Sequence, residues 1–183
     1  TMHIVNSKKG TYFLADTLIN RHPDTETIVD IARLSDQTVR FFNHEPVIAM
    51  VSYSNFGSDT TGSPANIHKA VEIMQTDYSD LAIDGEMQVK FAINNELRDR
   101  KYPFTRLFGK EVNTIVFPNL SSANAAYQML QSMNGDDFEM IGPIQMGLNK
   151  PIHFTDFESS VRDIVNLTAV AAIDAIVMKR KQQ

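Results

Sequence analysis

The chain has no cysteine. That removes any disulfide framework, any thiolate nucleophile and any thiolate metal ligand, and it permits a cytoplasmic location. A basic surplus is also missing. Lys and Arg number 17 against 22 Asp and Glu, for a net charge of -5. A nucleic-acid partner would want a basic face, so none is expected. A phosphorylated ligand is not excluded, because backbone amides and helix ends can hold one. Long hydrophobic runs are absent too. The most apolar stretch, Ile164 to Met178, is too short to span a bilayer and is interrupted by Asn166 and Asp174, so no membrane partner is expected. Lys8-Lys9-Gly10 breaks up any signal-peptide core near the start. No Gly-x-Gly-x-x-Gly dinucleotide fingerprint, internal repeat or low-complexity segment occurs. What remains is 183 residues with 43% hydrophobic and 21% charged content, ordinary for a soluble globular protein of one or two domains.

Along the chain, apolar runs of strand length alternate with helical patterns. Residues 3–6 and 12–15 flank Lys8-Lys9-Gly10 as a hairpin would. Pro23-Asp24-Thr25 starts a helix whose apolar face carries Ile28, Ile31, Ala32, Val39 and Phe42, and Pro46 closes it. Residues 47–51 read as a central parallel strand covered on both faces. A Ser/Thr/Gly/Asn loop follows, and Ser63-Pro64 opens the next helix. Residues 81–83 form a short strand ending in Asp84-Gly85-Glu86, and 94–111 a charged surface excursion. Strands are expected at 112–117, 140–141 and 152–154. Helices are expected after Ser121-Ser122, stopping at Gly135, and after Ser159-Ser160, ending on Lys179-Arg180-Lys181 to suit the helix dipole. The class is α/β, a three-layer fold with a mostly parallel sheet and helices on both faces.

Four constellations could carry chemistry. The first is Ser52-Tyr53-Ser54-Asn55-Phe56-Gly57-Ser58, which leaves a buried strand toward a helix. Ser54, Asn55, Gly57 and Ser58 suit an anion, or simply a tight turn. In the second, Asp84 and Glu86 straddle a glycine. They could act as acid and base or bind a metal, or Asp84 could cap the following helix with Glu86 in its first turn. The third joins Asn119, Asn124 and Tyr127 at a strand-to-helix turn, as a polar ligand site or as an Asx-turn beside a half-buried tyrosine. The fourth runs from Lys150-Pro151 through Asp156, Ser159 and Ser160 to Asp163. Ser160-Val161-Arg162-Asp163 reads as a capping box, with general base as the alternative for Asp163.

These pieces occur in a telling order. Asn113-Thr114-Ile115-Val116-Phe117-Pro118-Asn119-Leu120 precedes Ala123-Asn124-Ala125-Ala126-Tyr127. Then come Ile141-Gly142-Pro143-Ile144-Gln145-Met146-Gly147, Lys150-Pro151 and Val161-Arg162-Asp163-Ile164-Val165-Asn166. The series resembles the C-terminal half of phosphotransacetylases (phosphate acetyl/butyryl transferases), most closely the version fused to NADP-dependent malic enzymes. The resemblance runs from Tyr12 to Met178. It implies an isocitrate-dehydrogenase-like architecture and an acyl-CoA-sized cleft lined by Asp84, Glu86, Tyr127, Gln145 and Lys150. Acyl-CoA or anion contacts would come from Ser54, Asn55, Gly57, Ser58, Asn119, Asn124, Asp156, Ser159 and Ser160.

Two departures bear on activity. Phe56 stands where the resemblance implies a lysine. The implied Ser-Arg-Gly element, whose arginine grips phosphate, falls on Asp156-Phe157-Glu158. The implied thiol-activating aspartate is retained as Asp163. The reading is therefore an acetyl-CoA-binding regulatory module of a malic enzyme, with malate oxidation, NADP and a divalent metal confined to other domains in cis. No cofactor or metal is expected within 1–183. An active phosphate acetyltransferase and a structural oligomerisation module are the alternatives. The second of these draws on a final helix apolar on several sides, at Ile164, Leu167, Val170, Ala171 and Val177, and on the dimers usual in the family. Thr1 ahead of Met2 suggests a cloning remnant or cut fragment, so 1–183 is expected to be the C-terminal part of the domain, with a possible subdivision near residue 150.

Overall fold

A computed structural model describes residues 1–133 and 138–181. In chain order the elements are β1 (Met2–Ser7), β2 (Gly10–Ala15), α1 (Thr25–Phe41), β3 (Val47–Val51), α2 (Gly62–Asp77) and β4 (Ala82–Met87). They continue with α3 (Val89–Ile93), α4 (Asn95–Lys101), β5 (Thr114–Val116), α5 (Leu120–Met133), β6 (Phe138–Ile144) and α6 (Val161–Lys181). The six strands form one sheet in the order β4-β3-β5-β2-β1-β6. β4, β3, β5 and β2 are mutually parallel, and β1 runs antiparallel between β2 and β6.

Period-two alternation along the strands builds a core on each face. In β3, Ile48 and Met50 point into one cluster, with Ile28, Ile31, Ile67, Val71, Met74, Leu167 and Val170. Ala49 and Val51 point into the other, with Phe91, Leu107, Ile115 and Ala123. Both faces are covered, which is why the strand reads as an unbroken apolar run. The three-layer α/β class read from the sequence is the one observed.

Local signals explain the helix ends. Asp24 Oδ1 accepts the Thr27 N–H at 2.9 Å and caps α1. The helix buries Ile28, Ile31, Ala32 and Val39, with Ser35 bonded back to the Ile31 carbonyl, and Phe42 packs partly against the same core. α6 opens on the expected box. Asp163 accepts from the Ser160 N–H and hydroxyl at 2.9 and 2.7 Å, and its own N–H donates to Ser160 Oγ at 3.2 Å.

Several expectations need correcting. The strand expected at 112–117 is only Thr114–Val116, because the Asn113 side chain serves the backbone of its neighbours, accepting from Val47 N–H and donating to the Glu45 carbonyl. Residues 152–154 form no strand; instead the His153 ring accepts the Gln145 N–H at 3.1 Å. The last strand is longer than residues 140–141, spanning Phe138–Ile144. The segment 94–111 lies largely at the surface, as expected, but it carries α4 and a buried anchor. Arg98 is fully buried and donates to the Leu107 and Lys110 carbonyls, both at 2.7 Å, tying α4 to the chain beyond it. The N-cap of α2 is Thr61 without a side-chain bond, so Ser63 lies inside the first turn. For α5 the capping side chain is Asn119, not Ser121 or Ser122. The stop expected at Gly135 lies outside the described residues.

Candidate functional site

The carboxyl ends of β2, β3, β4 and β5 share one sheet edge, the position where ligands sit in open α/β sheets. β1 begins at the same edge because it runs the other way. The candidate residues distribute along this edge into groups of different character.

The first group surrounds Glu86, which is fully buried at the end of β4. Its Oε1 accepts from Ser54 Oγ at 2.8 Å and from the Gly57 N–H at 2.9 Å, and its Oε2 lies 3.2 Å from His68 Nδ1. Positive φ at Phe56 (47°) and Gly57 (80°) folds the loop onto it. The loop spends its N–H groups on the protein itself. Asn55 donates to Ser58 Oγ, Phe56 to the Glu86 carbonyl and Ser58 to the Asn55 carbonyl, while the Asn55 side chain accepts from Gln88 N–H. Phe56 packs against Tyr102 and Phe104. Ser54, Asn55, Gly57 and Ser58 thus come together as a turn clamped by a carboxylate.

Asp84 behaves similarly, but on another partner set. It accepts from Thr105 Oγ1 at 2.6 Å, Arg106 N–H at 2.8 Å, Gln75 Nε2 at 3.1 Å and its neighbour Gly85 N–H at 2.9 Å. The capping role weighed for Asp84 and Glu86 is therefore corrected. The next helix is preceded by Gln88, and both carboxylates instead brace loops across the sheet edge. Among the described residues no cluster of three or more His, Cys, Asp or Glu is arranged to hold a metal ion.

The second group forms a cleft of about 610 Å³ between α5, β6 and the 154–163 segment. It unites Asn124, Tyr127, Asp156, Ser159 and Asp163, as the sequence led us to expect, and adds His3, Gln128, Gln131 and Glu158. The Asp156–Ser159 turn is closed by its own side chains. Asp156 Oδ1 accepts from Glu158 N–H at 2.9 Å and Ser159 Oγ at 3.0 Å, and Ser159 Oγ accepts the Asp156 N–H at 3.1 Å. Phe157 at its tip is completely exposed rather than lining the pocket, as the sequence order alone would imply. Asn119 caps α5 and Ser160 caps α6, so neither lines this cleft.

Charge defines this cleft. Asp156, Glu158 and Asp163 contribute carboxylates, and none of the described lining residues is Lys or Arg. The Tyr127 hydroxyl feels that field: burial first, then the charges of Asp156 and Asp163, push its pKa up. Arg162, adjacent in sequence, is directed instead to Glu139 at 2.7 Å. A phosphate charge brought within ~4 Å of one carboxylate would meet repulsion of about 1–4 kcal/mol, depending on solvation.

His3 is the feature that sequence reasoning missed. Its ring stacks on Tyr127 at 3.9 Å, its Nδ1 lies 2.8 Å from Thr17 Oγ1, and only 1% of the residue is exposed. Its Nε2 has no partner among the described residues. Burial lowers its pKa to about 4, so the ring is neutral at pH 7. No pattern around a single histidine in a strand signals this.

Gln145 and Lys150 fall elsewhere. They line a groove of about 230 Å³ between α1 and α6, together with His153 and Asp174. The expected single cleft is thus divided into a clamped loop, an acidic cleft and a separate groove.

The sequence pattern of the phosphate acetyl/butaryl transferases matches residues 1–172. The chain belongs to that family. It is 36% identical over 166 residues to an NADP-dependent malic enzyme of Escherichia coli, covering 91% of this chain and 22% of the relative. To a phosphate acetyltransferase of Clostridium acetobutylicum it is also 36% identical, over 169 residues, covering 92% of this chain and 50% of the relative. The chain therefore spans half of the one kind of relative and about a fifth of the other. Its fold matches a phosphotransacetylase from Streptococcus pyogenes with a TM-score of 0.86 at 34% identity, over 96% of this chain and 54% of that one. It matches the EutD phosphotransacetylase from Staphylococcus aureus with a TM-score of 0.85 at 29% identity, over 95% and 53%. Among the described residues no helix is long and apolar enough to cross a membrane.

Proposed function

We propose that the chain is an acyl-CoA-binding regulatory module of a malic enzyme, built on a phosphotransacetylase-like fold and without transferase activity of its own. Acetyl-CoA is the ligand, and residues 1–183 are part of a longer domain that works in cis with malate-oxidising, NADP- and metal-dependent domains. One observation carries this reading: the cleft holding the retained Asp163 is acidic, and the position for which the resemblance implies a phosphate-gripping arginine is an exposed phenylalanine. Acyl transfer to phosphate needs that anion held in line with the acyl group, and a carboxylate-lined cleft opposes this. The amide wall of Asn124, Gln128 and Gln131 suits the neutral, amide-bearing arm of an acyl-CoA. The malic-enzyme relatives supply the context. Calorimetry with acetyl-CoA on the full-length protein tests the proposal. Saturable heat with a change in malate turnover supports it, and neither heat nor effect ends it.

A second reading, an active phosphate acetyltransferase, has its own support in the equal identity to a phosphate acetyltransferase and in Asp163 lining the cleft. Its replacement cations are poorly placed, with Arg162 on Glu139 and Lys150 in the other groove. Acetyl-CoA formation from acetyl phosphate and CoA, abolished in Asp163→Ala, would favour it. A homo-oligomeric module is favoured by the exposed Ile164, Val165, Ile173 and Ile176 of α6. A light-scattering mass of two or more chains without acyl-CoA binding would make assembly its main role.

A further inference from the structure

A second recess lies under the β1–β2 hairpin, at the sheet edge opposite the carboxyl ends of β2, β3, β4 and β5. Its volume is about 430 Å³. Val5, Leu14 and Ile115, from the adjacent strands β1, β2 and β5, form its floor on one face of the sheet. Leu130 of α5 and Ile93 at the end of α3 flank it. These helices cover that face but leave the strip between them unfilled. Protein interiors are close-packed, so an apolar recess of this size forgoes dispersion contacts that an alkyl chain would restore. Ser7, Lys8 and Lys9, all from the hairpin turn, give one end of the recess a cationic rim, and neither Asp nor Glu is among its described lining residues. The turn is pinned in place: Ser7 Oγ accepts the Lys9 N–H at 3.1 Å and donates to the Gly10 carbonyl at 3.0 Å.

We propose that this recess binds a medium-chain carboxylate, with its alkyl chain on the floor between α3 and α5 and its head group paired with Lys9. A mostly apolar cavity with a few polar groups at one end is the usual form of a small-molecule site, and this one falls in the usual size range. Charge selects the carboxylate. The lysines of the rim repel a cation, and a neutral alcohol gains the burial without the ion pair. The adjoining groove shares Lys9 and carries Glu111, which directs the head group to the hairpin side. This inference does not rest on the acyl-CoA reading. The two sites lie at opposite edges of the sheet, so octanoate and acetyl-CoA titrations succeed or fail separately.

The test is calorimetric titration of the full chain with hexanoate, heptanoate and octanoate at low ionic strength. Affinity is expected to rise about fourfold with each added CH₂. Lys9→Gln, on the exposed turn, should weaken octanoate about threefold and leave octan-1-ol unchanged. In methyl spectra the Val5, Leu14 and Ile115 signals should shift on saturation, while those of Ile31 and Ile67, in the core of the other face, stay in place. Absence of saturable heat overturns the proposal. So does affinity independent of chain length, indifference to Lys9→Gln, equal binding of octan-1-amine, or shifts confined to other methyls. A light-scattering mass that falls on addition of octanoate would assign the recess to a second copy of the chain, and overturns it as well.

Discussion

Glu86 and His3 are both fully buried polar side chains near one sheet edge, yet their surroundings differ in kind. Glu86 receives a hydroxyl, a backbone N–H and a histidine from its own chain. His3 has one partner and one open nitrogen, with a cavity alongside. A polar group whose bonds are all made internally holds a loop in place. One left incomplete carries a desolvation cost that the surrounding packing must offset. The carboxylate looks like a catalytic candidate in the sequence and turns out to be a brace, whereas the histidine attracts no notice and sits buried in the cleft wall.

The contrast can be broken from the brace side first. Glu86→Ala strands the Ser54 hydroxyl and Gly57 N–H, and should cost about 4 kcal/mol in urea unfolding. A loss below about 1 kcal/mol would show that the loop does not depend on it. Next comes pH. His3 titrates at about 4 when folded and near 6.5 when unfolded. The unfolded chain therefore takes up the proton first, so stability is intact above pH 6.5 and falls as pH drops toward 4, by up to about 3 kcal/mol. Urea midpoints at pH 7, 5.5 and 4 check this, with His3→Gln flattening that fall. Gly142→Ala, pressing a methyl on the His3 ring at a φ of +151°, should cost about 2 kcal/mol and perturb the cleft without touching the Glu86 loop. Asp163→Ala removes the carboxylate half of the Ser160 capping box and should cost about 1 kcal/mol in thermal unfolding. Glu158→Gln should leave stability within about 0.5 kcal/mol, so any effect on binding is a site effect.

Much of the fold was readable because its signals are local. Residues 47–51 alternate between two cores, Asp24 caps α1, and Ser160 with Asp163 opens α6, each as its spacing implies. The 94–111 segment lies at the surface as read, but its charged composition hides one arginine turned inward, and only tertiary carbonyls reveal Arg98. The candidate site was half legible. Asn124, Tyr127, Asp156, Ser159 and Asp163 do converge, since family-like order places them on adjoining elements. Gln145 and Lys150 diverge because residues 145–150 turn toward α1 after β6. Phe157 points outward because the Asp156–Ser159 bonds close a tight turn beneath it. His3 was silent because its role depends on β6, a strand far away in sequence.

That distance has a kinetic meaning. β1, the earliest strand, is completed on one side by β6, the latest. The wall containing His3 and Gly142 therefore cannot assemble until β6 is in place, whereas the β3–β4 pair with its Glu86 clamp closes over a much shorter loop. Refolding should restore the clamped loop early and the acidic cleft last, so ligand competence would be among the final properties the chain acquires.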